Sequence, residues 1–245
     1  MQLYKTSRWY TFSCKLVMFT HTVSSFFRKS ETQLTIHKEI ASNPHERTMD
    51  IKEIIEKSDT IDAVTQFFQN STQDQRVDAI RSLHKRAQEK LFALAQNTTP
   101  LDLNFFVPPS YVNTEVIHEG KNSLPLFTLF QKRFVRASDG TVFGYNHNST
   151  MGIVGPGYFI AKECSGVPTW QDRGSVVIDY YEKPTQNTPS HWPKIKDNGD
   201  GLQRLVYYHM HDFMRRVSDH VSIGLAYKDD KSINSFFVLC RLENG

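Results

Sequence analysis

Residues 144–159 read GYNHNSTMGIVGPGYF, with Gly144, Gly152, Gly155 and Gly157 threaded between aromatic and aliphatic residues. A phosphate-cradling loop needs backbone N–H groups converging on the start of a helix, with a Lys and a Ser or Thr placed for phosphate and metal. Pro156 removes one such donor, and Ile160-Ala161-Lys162 continues as strand rather than helix. Glycine inside a strand pattern instead marks a bulge, a sharp barrel bend or the close approach of another backbone. The stretch therefore predicts the corner of a small β-barrel, with Tyr158 and Phe159 on opposite faces.

On both sides of this corner, short apolar and aromatic runs alternate with turn residues. The pattern predicts strands over 103–107, 114–118, 126–136, 141–146, 153–163, 175–181, 205–209, 222–227 and 236–242. Ser138-Asp139-Gly140 and Lys228-Asp229-Asp230-Lys231 supply tight turns, and residues 183–201, rich in Pro, Asn and Gly, make the one long loop. Such a series reads as an antiparallel meander, and closing it into a barrel removes its edges.

Before Pro100 the pattern is helical. Thr72 followed by Gln75 has capping-box spacing, and Val77, Ile80, Leu83, Ala87, Leu91 and Leu94 recur at steps of three and four. A shorter helix precedes it around residues 60–69, built on Ile61, Val64, Phe67 and Phe68. A stripe this regular is expected to pack against its own domain. The expected fold class is thus α+β, mainly β, with one domain over 49–245: helices over 49–97 packed on a barrel over 101–245.

Residues 1–48 differ in character. They carry a charge balance of +4 against −1 for the rest, and Lys5, Arg8, Lys15, Arg28 and Lys29 precede the first acidic residue. Three readings stand: a transit peptide, a secretory signal lacking its continuous apolar core, or sequence upstream of a start at Met49. On each, the segment is expected to be poorly ordered. A cytoplasmic address follows from the third reading, an organellar one from the first.

Composition narrows the function classes. The chain has 39% apolar and 22% charged residues, ordinary for a globular protein, and its longest uncharged stretch, 140–161, is interrupted by Asn146-His147-Asn148-Ser149-Thr150 and Pro156. No membrane span is predicted. With the body near neutral, no nucleic-acid footprint is expected. Cys14, Cys164 and Cys240 are far apart and in no metal-ligand spacing, so neither a disulfide framework nor a zinc site is expected. Against a reducing compartment stand the N-x-S/T triplets at Asn70, Asn97 and Asn148.

The run Leu205 to Val217, then Ser222-Ile223-Gly224-Leu225 and Phe236 to Leu242, resembles the closing strands of small calycin-like (lipocalin-like) barrels. It is most similar to an uncharacterised bacterial group built from a GXWXG module and its partner domain. In that comparison Asp212 and Arg215 fill an acidic and a basic position, Met214 stands where the group has Phe, and His209 and Met210 depart from the usual start. The GXWXG element itself is absent. The resemblance covers a minority of the chain and implies a barrel, not an activity.

Several side-chain constellations carry chemistry. His209-Met210-His211 puts two imidazoles on one face of an extended segment and lacks only a third ligand, for which Asp212, His191 and His220 are the candidates. Asp179, if inward beside a Tyr, is an acid/base pair suited to an isomerase or dehydratase. Tyr158, Tyr180 and Tyr207 supply phenols for a cavity wall, and Arg215 with Arg216 forms a carboxylate clamp. The expected function is binding of a small, mostly apolar ligand at Tyr158, Asp179, Tyr180, Tyr207, His209, His211 and Arg215. The alternatives are a barrel enzyme and a filled barrel that serves as an interaction module. Ligand identity, cofactor and oligomeric state are not encoded in any motif.

Overall fold

The computed structural model describes residues 50–125, 128–149 and 151–243. The readings of residues 1–48 lie outside the described residues, as do positions 126–127 of the expected 126–136 strand. Among the described residues four helices come first: α1 (Ile51–Lys57), α2 (Asp62–Asn70), α3 (Gln73–Ser82) and α4 (Lys85–Leu94). Asp50 caps α1, and Thr72 with Gln75 forms a complete capping box on α3, satisfying donors that the first helical turn leaves free. The apolar stripe is broken once. Leu83 and His84 are extended, and the His84 ring accepts from the Ala87 N–H at 3.2 Å to start α4.

The helices bury that stripe against the barrel's outer wall. Ile55, Phe68, Ile80, Leu83 and Leu91 share one core with Val221, Ile223, Val238 and Cys240. Those wall residues stand two apart on their strands, as outward positions must.

Eight strands form the barrel: β1 (Val116–Asn122), β2 (Leu129–Arg136), β3 (Val142–His147), β4 (Phe159–Glu163), β5 (Val176–Asp179), β6 (Met210–Arg216), β7 (Val221–Lys228) and β8 (Lys231–Arg241). Each pairs antiparallel with the next, and β8 returns to β1 with Leu239 opposite Gly120, closing the sheet. The fold class is α+β with more strand, as the alternation predicts. Inward positions hold Val116, Phe134, Val142, Phe159, Ile178, Met214, Phe237 and Leu239. Among the described residues, no helix is long and apolar enough to cross a membrane.

Three expected strands are corrected. Residues 103–107 form a helical turn, α5 (Leu103–Phe106), because the Asp102 carboxylate accepts from the Phe105 N–H at 3.0 Å and starts it. Residues 153–163 are strand only from Phe159. Met151–Val154 is a helical turn, α6, and Gly155 and Gly157 follow at φ +102° and +57°, incompatible with a continuous strand. The 205–209 strand is replaced by α8 (Gln203–Val206), and the true strand starts at Met210 because His209 turns the chain at φ +59°. The remaining short helix, α7 (Pro168–Gln171), lies between β4 and β5.

The two barrel ends differ. At one, α5 plugs the opening: Phe106 packs on Phe134 with ring centroids 5.1 Å apart and on His118 at 5.6 Å. At the other, the β3–β4 corner and the long β5–β6 connection meet over the interior. The Gln203 side chain accepts from the Gly157 N–H at 2.9 Å, and Asn198 donates to the carbonyls of Tyr158 and Tyr180 at 2.8 and 2.9 Å.

Candidate functional site

Beneath that second end lies a polar quartet in an otherwise apolar interior. On β2, alternation turns Phe130, Lys132 and Phe134 inward, so a lysine occupies an apolar-face position between two phenylalanines. Asn146 enters from β3, Asp212 from β6 between Met210 and Met214, and Tyr180 from the residue after β5. The Lys132 ammonium donates to Tyr180 Oη at 2.5 Å, to Asn146 Oδ1 at 2.9 Å and to Asp212 Oδ2 at 3.0 Å. Tyr180 donates to Asp212 at 3.2 Å, and Asn146 Nδ2 bridges Tyr180 and the Gly157 carbonyl.

The surroundings are aromatic. Lys132 is 2% exposed, and its Nζ lies 5.1 Å from the ring centroids of Phe159, Tyr180 and Phe237. Burial lowers the Lys132 pKa against the upward pull of the Asp212 charge. Burial, then Asp212, pushes the Tyr180 phenol well above its ordinary value. Taking an ion pair out of water costs several kcal/mol per ion before the partners repay it, so fold stability alone gives little reason for this quartet.

Tyr207 roofs the quartet. Its ring stacks on Tyr180 with centroids 5.4 Å apart and planes at 17°, and burial raises its phenol too. Gly157 makes the roof possible, since a Cβ there would lie 2.5 Å from the Tyr207 ring. Around the same end, Leu129, Ile153, Leu205, Val206 and Ile233 expose apolar side chains. A cleft of about 570 Å³ lies elsewhere, on the outer wall, lined by Asn113, Val135, Asp139, Gln186 and Pro189.

The expected site residues are not gathered into one site: Tyr180 pairs with Tyr207 and Asp179 with His211, in separate places. Tyr180 and Tyr207 face the interior. Asp179 faces outward, which corrects the inward acid/base pair: Val176, Ile178 and Tyr180 occupy the inward positions of this segment. On the outer wall Asp179 meets His211 at 3.3 Å and Lys162 at 2.7 Å. Burial raises the Asp179 pKa, but the hydrogen bonds from His211, Lys162 and the Tyr181 N–H outweigh it and leave the carboxyl below its ordinary value. His211 is held between the rings of Tyr181 at 4.5 Å and Trp170 at 5.1 Å.

His209 sits at the rim, its Nδ1 2.7 Å from Asp229 and its ring stacked on Tyr181. Its left-handed backbone breaks the extended His-Met-His geometry on which a shared metal depended, and the described residues contain no group of three His, Cys, Asp or Glu placed to hold an ion. Tyr158 is outside the barrel against Tyr145 and Trp192, donating to the Pro193 carbonyl at 2.5 Å. Arg215 ties backbone carbonyls instead of a ligand: Phe92 at 2.9 Å, Asp172 at 2.9 Å and Arg173 at 3.2 Å.

Sequence reading missed Lys132 and Asn146 and gave Asp212 other roles. The signal was present in the alternation itself, as Phe130-x-Lys132-x-Phe134 and Met210-x-Asp212-x-Met214 each put a charge on an apolar face. No protein-family model matches the chain, and no curated protein or solved structure is significantly similar to it.

Proposed function

We propose that the barrel binds a small, mostly apolar ligand beneath Tyr207, anchored by Lys132, Asn146, Tyr180 and Asp212. The observation that carries this reading is the buried quartet itself, a charged, fully partnered cluster in an apolar barrel interior, roofed by one stacked ring and two helical turns. Barrels of this strand number are just wide enough for side-chain fill or one small ligand. The closed eight-stranded meander supports the same reading. Ligand entry requires Tyr207 and the α6 and α8 turns to swing outward, and the flexible Met210 and Met214 side chains yield space below.

A filled barrel that serves only as an interaction module is the second reading, favoured by the packed axis and by the cleft of about 570 Å³ on the outer wall. Titrating the full chain with the uncharged apolar fluorophore N-phenyl-1-naphthylamine separates the two. Saturable binding that is lost in Ala226→Phe, which fills the interior next to Asp212, supports the ligand site. Binding unaffected by that substitution, or no binding at all, moves the function to the outer surface.

A further inference from the structure

The chemistry of the quartet narrows the ligand class. Lys132 already has its counter-charge in Asp212, so the chamber is close to neutral overall. A ligand carboxylate or phosphate entering it would meet the Asp212 carboxylate without a free cation to receive it, and a ligand amine would meet Lys132. A neutral carbonyl meets neither conflict. Its oxygen takes the Tyr180 hydroxyl as donor by displacing the 3.2 Å hydrogen bond from Tyr180 to Asp212, while its apolar portion finds Phe130, Phe159 and Phe237.

From this geometry we propose, building on the ligand-binding reading above, that Lys132 captures small apolar aldehydes or ketones as a reversible imine. A lysine amine desolvated in an apolar pocket is the residue type that forms Schiff bases with carbonyl compounds. The lowered Lys132 pKa that burial produces favours the free amine the reaction needs.

The steps balance within the quartet. Lys132 passes one proton to Asp212, and its lone pair attacks the carbonyl carbon, forming the C–N bond while the C=O π pair moves to oxygen. That oxygen takes the Tyr180 proton, and Tyr180 recovers a proton from the nitrogen, leaving a neutral carbinolamine. Asp212 then returns its proton to the hydroxyl, the C–O bond breaks with its pair leaving in water, and the nitrogen lone pair closes the C=N bond. Ammonium plus carbonyl has become iminium plus water. The iminium carries the same single charge opposite Asp212 as the ammonium did, so the chamber's charge is unchanged from start to finish.

Reductive trapping tests the proposal. The full chain is incubated with limiting octanal and sodium cyanoborohydride, digested, and mapped for alkylated lysines. Lys132 is expected to be the dominant adduct site, with that adduct suppressed by Asp212→Asn and Tyr180→Phe and absent in Lys132→Arg. Mapping the unsubstituted chain keeps the test decisive even where a variant folds poorly. Alkylation confined to surface lysines overturns the imine. If the uncharged naphthylamine probe still binds in the barrel in that case, the ligand-binding reading survives without it; if neither occurs, both fall.

Discussion

The Lys132 ammonium and the Asp212 carboxylate lie 3.0 Å apart in the barrel interior, on strands β2 and β6 that are not neighbours in the sheet. The pair therefore spans the chamber. Each charge is hydrogen-bonded to Tyr180 as well as to its partner, which fixes the distance between the two walls at this level.

Removing one member of that pair is expected to be costly. Lys132→Met leaves a buried carboxylate without its cation, and breaking a buried pair in this way costs about 3–5 kcal/mol. Replacing both, as Lys132→Met with Asp212→Leu, is expected to recover most of that loss, because well-packed apolar groups in place of a buried pair are neutral or stabilising. Urea unfolding of the single and double variants measures the difference. A double variant as unstable as Lys132→Met would mean that the pair is required by the fold itself.

Gly157→Ala tests the roof. The backbone at φ +57° disfavours a side chain, and the added Cβ would press on the Tyr207 ring. A loss of roughly 1–3 kcal/mol is expected from the strained backbone conformation. Displacing Tyr207 from Tyr180 should also speed entry of the uncharged naphthylamine probe, read by stopped-flow fluorescence. Unchanged entry kinetics would show that Tyr207 does not gate the chamber.

The barrel was legible in the sequence because short apolar and aromatic runs alternate with turn residues and Gly155 and Gly157 stand at a bend. Capping chemistry at Thr72 was equally plain, since it depends on residues three apart. Strand limits around 103–107 and 205–209 were not, because what decides them is local: an Asp102 cap in one case and a left-handed His209 in the other. Lys132 was hidden for a different reason. Its meaning comes from Asn146, Tyr180 and Asp212, which are distant in the chain and meet only after closure. Asp179 and Tyr180 show the same limit in reverse, being adjacent in sequence yet opening into separate surroundings.

Arg215 ties its strand to two other segments through the carbonyls of Phe92, Asp172 and Arg173, with its guanidinium 3.9 Å from the Phe92 ring centroid. Arg215→Lys keeps the charge but loses the planar fork that reaches several acceptors at once. Amide exchange is expected to quicken around residues 172–175 and at the end of α4, with the quartet's strands unaffected. Uniform exchange in both proteins would show that the fork carries no structural load.

His118 makes stability depend on acid at the plugged end. Its ring lies fully buried among Phe105, Phe106 and Phe134, with Nε2 donating to the Phe106 carbonyl at 3.0 Å. Burial pulls the imidazole down to about 3 although the carbonyl favours the protonated form, and the Arg241 charge adds to the depression. The folded value is thus below the unfolded value of about 6.5, so the unfolded chain binds the proton first as pH falls. The contribution is complete above pH about 6.5 and is lost progressively toward pH 3, at about 1.4 kcal/mol per pH unit. His118→Phe keeps an aromatic ring in the cluster and removes the titration. Its unfolding free energy is expected to fall less steeply than that of the unsubstituted chain across this window, even if the orphaned Phe106 carbonyl makes it less stable at neutral pH. Parallel profiles from pH 6.5 to 3 would mean that His118 enters the fold already protonated, and the plug would then have to open to let water reach it.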